Sequence, residues 1–311
     1  MYKHWDEWLT DAPHPFIANF DGEAIDEGKD LLEGTAYDCP NRPFGGAEQL
    51  AWSNDSKKIA YACNKKTGRD YTLSTDTDIY LYDLEEGTTV NLCKLDEARS
   101  SYGYDTAPQF SPDGKMIAWS SMARDGYESD QNRLSIMELA TGERRYITGA
   151  PDANGVTAFD SNVDSYCWAP DSKSLYFTGT WHGTTQVYNI TLKGKLTRMT
   201  EGDHDYNSVA MLGNKNLIMT RVSISAPADI YTMKAKAGAE VKPGDVLEIG
   251  FGERKVRAEI LEVLKKHGIE TLPAGLEIAH ADDVVDMHDD PGKVIHKRKN
   301  SSMVVGLKML A

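Results

Sequence analysis

A polar insertion at residues 124–130 carries the side chains in the first half of the chain that are best suited to binding a ligand. It reads RDGYESD and offers the guanidinium of Arg124 and the carboxylates of Asp125, Glu128 and Asp130. The insertion lies between two predicted strands, and loops on a rigid sheet often carry binding groups. These four residues are therefore a candidate binding site, with an ordinary surface loop as the alternative.

A second polar group lies near the end of the sequence, where Lys297, Arg298 and Lys299 precede the hydroxyls of Ser301 and Ser302. An apolar run, SMVVGLKML, follows and predicts a helix. Basic side chains beside a helix N-terminus suit a phosphate or another anion. Ser301 is equally suited to be an ordinary helix N-cap beside a solvated basic loop, and we favour that interpretation.

The sequence shows no pattern of a nucleophilic enzyme. It contains no G-x-S-x-G motif, the strand-to-helix turn that exposes a catalytic serine. Its four cysteines have neither C-x-x-C nor Cys/His zinc spacing, and those in apolar runs are expected to be buried free thiols, although a disulfide stays open. We predict no catalytic residue, no metal and no cofactor. The cysteines are Cys39, Cys63, Cys93 and Cys167.

Charge and hydropathy exclude some classes of partner. The net charge of -14 argues against a general nucleic-acid binder, which needs a basic face. No run of 18 apolar residues occurs, so no membrane span is expected. The polar first residues do not resemble a secretory signal, and the location, cytoplasmic or periplasmic, stays open. Residues 241–311 hold 11 basic and 12 acidic residues, so the acidity belongs to the preceding part of the chain.

Three segments of the chain are repeats of one another. They begin at Trp52, Phe110 and Trp168, each 58 residues after the last. Each continues with a tight turn that contains an aspartate and a small residue, and then with a strand of alternating polarity. The turn aspartates are Asp55, Asp113 and Asp171, and the residues expected on the buried face are Ile59, Ile117 and Leu175.

A second repeated element, strand, glycine-containing turn and strand, follows each of the first. Together they give about four short antiparallel strands, the unit of a β-propeller blade. The predicted fold is mainly β, an incomplete β-propeller of about four to five four-stranded blades followed by a small α/β segment. Full blades are expected at 47–95, 105–149 and 162–202, with partial ones at 14–34 and 206–236.

The composition changes abruptly after the repeats. All 15 tyrosines and six tryptophans lie at or before Tyr231, and the only later aromatic residue is Phe251. We therefore predict two domains, residues 1–237 and 238–311. In the second, the pattern predicts a strand over 246–249, a helix over 253–268 and a further strand, as at the start of an α/β sheet. Gly250 and Gly252 resemble a methyltransferase motif only weakly, because Glu253 replaces its third glycine.

Residues 2–236 resemble the propeller of the prolyl oligopeptidase family of serine peptidases, in particular its bacterial dipeptidyl- and acylaminoacyl-peptidase branch. The motifs KHWDEW, STDTDIY and SMARDGYESD, in this order, carry the resemblance. In that family the propeller caps an α/β-hydrolase domain, narrows access to its active site and helps to bind short peptides. The family chain continues beyond the matched part into further propeller and the hydrolase.

This resemblance implies that Arg124, Asp125, Glu128 and Asp130 contact peptides or the α/β-hydrolase domain. Some members hold a substrate's amine with paired glutamates, but here Glu85 and Glu86 occupy a predicted hairpin turn. Because the serine motif is missing, we predict a non-catalytic propeller segment with a peptide-gating or structural role. Peptidase activity completed by a hydrolase domain is one alternative.

Residues 253–311 resemble part of the bacterial phosphate acyltransferase of phospholipid synthesis. The runs HADDVVDMHDDP and HKRKNSSM carry this resemblance. It implies phosphate binding by Lys297, Arg298, Lys299, Ser301 and Ser302, and it accounts for the His and Asp run without a metal. The family's glycine-rich Asp motif and its later SAGNTGA-type loop are missing from the sequence. Acyl transfer from acyl carrier protein to phosphate is therefore only the second alternative function.

The two resemblances predict a chain that joins two unlike segments. An open arc of blades exposes apolar faces and strand edges, which favours self-association unless the second segment covers them. The alternative is a small closed ring in which the N-terminal strands complete the last blade.

Overall fold

The computed structural model describes residues 11–20, 24–42, 45–97, 100–127, 129–149 and 159–243, and the backbone of 249–251 and 254–256. The chain divides into two compact units, residues 1–242 and 243–311. Among the described residues, no helix is both long and apolar enough to cross a bilayer.

The first unit begins with a short two-stranded sheet and continues with four-stranded antiparallel sheets, named here blades 1 to 4. The two-stranded sheet consists of β1 (Phe16–Ile17) and β2 (Lys29–Asp30). A 3₁₀ turn, Ala47–Gln49, leads into blade 1, which consists of β3 (Leu50–Trp52), β4 (Lys58–Cys63), β5 (Asp78–Asp83) and β6 (Thr89–Asn91), with helix α1 (Gly68–Leu73) between β4 and β5. Blade 2 consists of β7 (Asp105–Phe110), β8 (Met116–Ser121), β9 (Arg133–Glu138) and β10 (Arg144–Tyr146).

Blades 3 and 4 repeat this arrangement. Blade 3 consists of β11 (Ser165–Trp168), β12 (Ser174–Trp181), β13 (Thr184–Thr191) and β14 (Leu196–Arg198). Blade 4 consists of β15 (Asp205–Leu212), β16 (Asn216–Ser223), β17 (Ala226–Lys234) and β18 (Lys242–Pro243). The prediction that blade 4 is partial is therefore wrong, because the short β18 supplies its outer strand. The described β1 and β2 pair with each other and not with blade 4, so they do not complete it.

The described backbone of the second unit is a β-hairpin. Its strands are β19 (Ile249–Phe251) and β20 (Arg254–Val256), and they pair antiparallel. The helix predicted to begin at residue 253 is wrong at 254–256, where the chain is extended. The β-branched residues Ile249 and Val256 are register partners and favour a strand. The remainder of the predicted α/β segment lies outside the described residues.

The repeated turn has the structure that its sequence predicts. In all three repeats the aspartate Oδ1 accepts a hydrogen bond from the backbone N–H two residues later, at 3.0–3.1 Å. The residue after each aspartate has a positive φ of 58–70°. Glycine adopts this conformation freely, and serine occupies it in the first and third repeats. The residues with positive φ are Ser56, Gly114 and Ser172, and the predicted inward residues Ile59, Ile117 and Leu175 are buried.

Hydrophobic clusters lie between neighbouring blades. The cluster between blades 1 and 2 includes Ile79, Ile117 and Trp119. The cluster between blades 2 and 3 includes Leu134, Leu175 and Phe177. The cluster between blades 3 and 4 includes Tyr176, Leu217 and Met219. A fourth cluster covers the other side of blade 1 with residues of the N-terminal segment, and it includes Leu32, Cys39, Tyr61 and Tyr80. The blades are thus held together by burial of apolar area, at about 25 cal/mol per Å².

In each of blades 1 to 3, the backbone N–H at one equivalent position of the third strand donates a hydrogen bond to a side chain. The N–H of Leu134 donates to Oγ1 of Thr148 at 2.8 Å, and that of Val187 donates to Oγ1 of Thr200 at 2.9 Å. In blade 1 the N–H of Ile79 donates to Sγ of Cys93 at 3.3 Å. Cys93 therefore occupies the position of a threonine, and all four cysteines are free thiols as expected, although Cys167 is only partly buried.

A buried ion pair crosses blade 2 on the side that faces blade 1. The Asp105 carboxylate is fully buried, and its Oδ1 accepts hydrogen bonds from Trp119 Nε1 (2.8 Å) and Arg144 Nη2 (3.4 Å). The Arg144 guanidinium also donates to the hydroxyls of Ser121 and Ser135 at 2.8 Å. Burial raises the pKa of Asp105, and the attraction of Arg144 opposes the rise. Arg144 thus links all four strands of the blade by neutralising a buried carboxylate.

Replacing Cys93 tests whether its sulfur acts as a hydrogen-bond acceptor. We expect Cys93→Thr to change the free energy of unfolding by less than about 1 kcal/mol, because threonine fills this position in the next two blades. Cys93→Val has a similar shape but no acceptor, so it leaves the Ile79 amide unsatisfied and costs about 1–3 kcal/mol. Urea unfolding of both variants makes the measurement, and equal stabilities contradict the assignment.

Replacing Arg144 tests the buried ion pair. We expect Arg144→Met to lower the free energy of unfolding by about 3–5 kcal/mol at neutral pH, because it leaves the Asp105 carboxylate buried and unpaired. Loss of the positive charge raises the pKa of Asp105 further. A carboxyl with a raised pKa in the folded state favours folding at low pH and disfavours it as pH rises. The penalty should therefore be smaller at pH 5 than at pH 8.

Two further variants separate this effect from a change of packing. Arg145→Met, which removes an exposed neighbouring arginine of β10, should cost less than about 0.5 kcal/mol at either pH. The double variant Asp105→Asn with Arg144→Met should recover part of the lost stability, because no charge is then left buried. A penalty for Arg144→Met that does not vary with pH and is not reduced in the double variant contradicts the role of the ion pair.

Candidate functional site

Three connecting segments meet at one end of blades 1 and 2. They are residues 64–77, 92–104 and 122–132, which join β4 to β5, β6 to β7 and β8 to β9. Because alternate connections of an antiparallel sheet lie at the same end, the described parts of these segments form one surface, called here the loop face. Parallel bridges join Thr77 to Tyr104 and Tyr102 to Arg124, so the segments support one another.

Asp125 joins the β8–β9 connection of blade 2 to the β4–β5 connection of blade 1. Its Oδ1 accepts hydrogen bonds from the Ser74 hydroxyl (2.7 Å), the Thr75 N–H (2.8 Å) and the Asp76 N–H (3.1 Å). Burial acts to raise the pKa of Asp125, but these hydrogen bonds outweigh it and the pKa is lowered. The carboxylate thus positions residues 74–78, the STDTD segment, which belongs to one of the motifs that resemble the prolyl oligopeptidase family.

Asp130 organises its own loop. Its carboxylate oxygens accept hydrogen bonds from the backbone N–H groups of Ala123 (3.0 Å), Arg124 (3.1 Å) and Gln131 (2.9 Å), and the side chain is buried. Burial acts to raise the pKa of Asp130, but the hydrogen bonds from Gln131 and Arg124 outweigh it and the pKa is lowered. Asp130 therefore holds the loop from inside, and Glu128 lies outside the described residues.

Arg124 and two tyrosines project from this rigid base. Tyr102 is 59% exposed and Tyr127 is 52% exposed. The Arg124 guanidinium stacks on the Tyr127 ring at 4.3 Å and pairs with Asp130 at 3.4 Å, while 59% of its side chain remains exposed. An exposed arginine stacked on one exposed tyrosine, with a second exposed tyrosine in the bridged segment, has the composition of a binding hot spot. The chemistry suits a carboxylate next to an apolar or peptide group.

Two lysines lie beneath this surface on a pair of buried carboxylates. Oδ2 of Asp76 accepts hydrogen bonds from Lys66 (2.9 Å) and Lys94 (2.8 Å), and Lys94 also donates to Asp78 at 2.8 Å. Oδ1 of Asp76 is buried and accepts no hydrogen bond from the described residues. Burial lowers the pKa of Lys94, but the hydrogen bonds to Asp76 and Asp78 outweigh it and the pKa is raised. Lys94 therefore stays protonated and neutralises these acids.

Asp78, Cys93 and Asp105 have the spacing of a metal site. One potential ligand atom from each lies within 4.8 Å of the others. However, Lys94 pairs with Asp78 and Arg144 with Asp105, so cations of the chain already balance both carboxylates. Burial raises the pKa of the Cys93 thiol well above its ordinary value, which disfavours the thiolate that metals bind. The donor set therefore suits an internal ion-pair network better than a metal.

The predicted glutamate pair does not join the loop face. Glu85 and Glu86 lie in the β5–β6 turn, at the opposite end of blade 1, where Asp83 accepts hydrogen bonds from both their backbone N–H groups. Glu85 pairs with Lys57 in solvent at 2.6 Å. The prediction that this pair is a solvated turn is confirmed. The phosphate-site residues Lys297, Arg298, Lys299, Ser301 and Ser302 lie outside the described residues.

Sequence reasoning missed several residues of the loop face. Tyr102, Lys66 and Lys94 lie in connections that do not repeat with the blade period, so no alignment of repeats indicates them. The two closely spaced acids of the STDTD segment, together with the insertion that precedes it, could have indicated Asp76. The Arg124 loop was found because its insertion of charged residues between two strands is visible in the sequence.

Two relatives match most of this chain in sequence. The chain is 47% identical over 240 residues to dipeptidyl-peptidase 5 from Porphyromonas gingivalis and 44% identical over 239 residues to dipeptidyl-peptidase 5 from Porphyromonas endodontalis. These matches cover 77% and 76% of this chain and 33% of each relative. The chain therefore spans about a third of the length of these relatives.

A solved structure and a protein-family model also match parts of this chain. A TolB-like protein from Agrobacterium tumefaciens superposes with a TM-score of 0.50 at 16% identity, over 73% of both chains, which indicates a shared fold. Residues 49–242 match the family described as the TolB beta propeller domain, and they contain the four blades except Pro243, the last residue of β18. The match covers well over half of the chain, and it accounts for the repeated turns and the four-stranded sheets. The chain belongs to the TolB beta propeller domain family.

Proposed function

We propose that this propeller binds short peptides on its loop face and acts as the accessory domain of a dipeptidyl-peptidase-type serine peptidase. The 47% identity to a dipeptidyl-peptidase 5 supports the class of substrate. The observation that supports the site is the exposed Arg124, which stacks on the exposed Tyr127 in a loop held by the buried Asp130. The segment that contains the exposed Tyr102 is bridged to this loop at Arg124. Rigid loops limit the entropy lost on binding, so a small ligand can be held by few contacts.

The roles of the loop-face residues follow from their partners. The guanidinium of Arg124 has five N–H donors, and among the described residues it forms one side-chain hydrogen bond, to Asp130. It can therefore receive the terminal carboxylate of a short peptide, while Tyr102 and Tyr127 contact the peptide's apolar groups. Asp125 and Asp130 are positioning residues, because Oδ1 of Asp125 and both carboxylate oxygens of Asp130 accept hydrogen bonds from the backbone of the loops.

The propeller itself supplies no nucleophile in this proposal. The 311 residues contain no G-x-S-x-G motif, and the four thiols lie in environments where burial raises their pKa. Hydrolysis would require an α/β-hydrolase domain, which is the alternative of a completed peptidase. Acyl transfer to phosphate by residues 253–311 stays a prediction that the described residues do not support.

Peptide binding can be tested by measuring the affinity of two forms of the protein, with and without the Arg124 side chain, for two peptides, with and without a C-terminal carboxylate. We expect Arg124→Ala to bind an alanine tetrapeptide with free termini about tenfold more weakly, because a charge-assisted hydrogen bond contributes about 1.5–3 kcal/mol. The same peptide with a C-terminal amide should bind both forms with equal, weakened affinity. Isothermal titration calorimetry measures all four pairs, and Arg145→Ala, an exposed arginine away from the loop face, is the control.

Two outcomes would contradict this site. If Arg124→Ala lowers the affinity for the free peptide and for the amidated peptide by the same factor, the arginine does not contact the carboxylate. If neither peptide binds the unaltered protein, the loop face does not bind short peptides of this kind.

The absence of catalysis can be tested on the purified chain. We expect no release of reporter group from dipeptidyl or acyl-peptide reporter substrates, because the sequence contains no G-x-S-x-G motif. We also expect no covalent labelling by a serine-directed fluorophosphonate. Turnover that stays with the protein through purification, together with labelling of the 311-residue chain, would show that it carries an active serine and contradict the proposal.

A further inference from the structure

A half-buried arginine of blade 4, Arg221 on β16, lies beside the hydrophobic cluster between blades 3 and 4. It is the register partner of Tyr206 on β15, and its guanidinium stacks on the Tyr231 ring at 3.6 Å. Both tyrosines belong to that cluster, Tyr206 as a fully buried member. Burial raises the pKa of Tyr206, and the nearby charge of Arg221 opposes the rise. The arginine is therefore held between two tyrosines of its own blade.

His204 joins this group from the segment that connects the two blades. Its Nε2 lies 3.3 Å from the Tyr206 hydroxyl, within hydrogen-bond distance, and the two rings meet edge to face at 5.4 Å. Burial lowers the pKa of His204, and the positive charge of Arg221 lowers it further. The carboxylates of Asp203 and Asp205 oppose this shift. His204 and Arg221 thus lie close enough for the charge of one to act on the other.

Contacts with blade 3 fix the segment that carries His204. The Gln186 side chain is fully buried, and its Nε2 donates to the backbone carbonyls of Gly202 (3.1 Å) and His204 (3.0 Å). Oδ1 of Asp205 accepts a hydrogen bond from the Thr185 N–H at 2.7 Å. The groups that blade 3 contributes to these contacts are uncharged. A ligand would therefore meet side chains that are already positioned, which limits the entropy lost on binding.

Arg221 differs from the other half-buried or stacked arginines in having no carboxylate partner. Arg124 pairs with Asp130 and Arg144 with Asp105, but Arg221 forms no ion pair with any residue that the structure describes. Because an aromatic ring covers one face of its guanidinium, the N–H donors that remain lie along the edge of the plane. This fork of donors matches the two oxygens of a carboxylate.

The charges around Arg221 favour a ligand with a single negative charge. Arg221 is a cation at any ordinary pH, whereas His204, with its lowered pKa, is neutral at pH 7.5. The nearby carboxylates of Asp203 and Asp205 repel a doubly charged anion such as phosphate more strongly than a carboxylate. Protonation of His204 adds a positive charge next to the ligand, so proton binding and anion binding strengthen each other.

We propose that Arg221 and His204 form an anion site between blades 3 and 4, and that this site binds a small carboxylate. Arg221 donates hydrogen bonds to the carboxylate oxygens, Tyr231 supports the guanidinium, and His204 makes the affinity depend on pH. The inference goes beyond peptide binding at the loop face, because none of these residues belongs to segments 64–77, 92–104 or 122–132.

An NMR titration of the 311-residue chain with acetate tests the proposal. The signals to follow are the Nε–H group of Arg221 and the ring of His204, each assigned by its loss in a variant. We expect acetate to shift both signals at constant ionic strength, and acetamide, which has the same shape without the charge, to shift neither. The affinity for acetate should rise about threefold or more as pH falls from 7.5 to 5.5. Inorganic phosphate at pH 7.5 should bind more weakly than acetate.

Two variants assign the effect to the two side chains. Arg221→Met keeps an apolar contact with Tyr231 but has no donor, so it should weaken acetate binding about tenfold or more, as followed on the His204 signal. It should also raise the pKa of His204 in the ligand-free protein, because the repulsion by Arg221 is lost. His204→Gln should bind acetate with an affinity that no longer depends on pH. Arg145→Met, which changes an exposed arginine of blade 2, should alter none of these quantities.

A stability measurement and a conservative variant guard against a folding defect. The thermal unfolding temperature of Arg221→Met should stay within a few degrees of the unaltered protein. Arg221→Lys keeps the charge without the planar fork of donors, and it should also bind acetate more weakly. The proposal is overturned if acetate shifts neither signal, if acetamide acts like acetate, or if phosphate binds more tightly than acetate at pH 7.5. Unchanged acetate affinity in both Arg221 variants overturns it as well.

Discussion

The buried carboxylate of Asp105 is the constraint on which the arrangement of blades 1 and 2 depends. A carboxylate without solvent is costly unless a cation and hydrogen-bond donors surround it. Arg144 supplies the cation from the outermost strand of blade 2, and Trp119 supplies a donor from a central strand. Arg144 also donates to the Ser101 hydroxyl, in the segment that connects blade 1 to blade 2. The ion pair therefore positions the base of the loop face.

The loop face extends this principle toward the surface. Lys94 neutralises Asp76 and Asp78, and Asp125 then receives the backbone of the segment that contains Asp76. The buried Asp76 and Asp78 are balanced by lysine and the buried Asp130 by backbone N–H groups, which lower the free energy of each acid by charge-assisted hydrogen bonds. The positions of Arg124, Tyr102 and Tyr127 are set by this network, although they are themselves exposed. The shape of the site therefore depends on the charged groups that hold its loops together.

The sequence predicts the blades well because their turns and strands repeat. The 58-residue spacing predicted the turns at Asp55, Asp113 and Asp171, and the alternation within strands predicted the buried Ile59, Ile117 and Leu175. The loop face was predicted only in part. Asp125 and Asp130 were assigned to ligand binding from their charge, whereas Oδ1 of Asp125 accepts hydrogen bonds from the distant segment 74–76 and Asp130 accepts them from its own loop. Such contacts depend on how non-repeated connections meet in space, which residue spacing does not encode.

The fourth blade shows a different limit of sequence reasoning. Its outer strand, Lys242–Pro243, is two residues long and lies in a stretch rich in lysine and glycine, so its pattern resembles a linker. Once β18 pairs at its edge, blade 4 has the same four-stranded order as blades 1 to 3, and its Leu217 and Met219 pack in the cluster with blade 3. The pairing of β18 therefore depends on the strand beside it and on the packed sheet behind it, and not on a pattern in its own two residues.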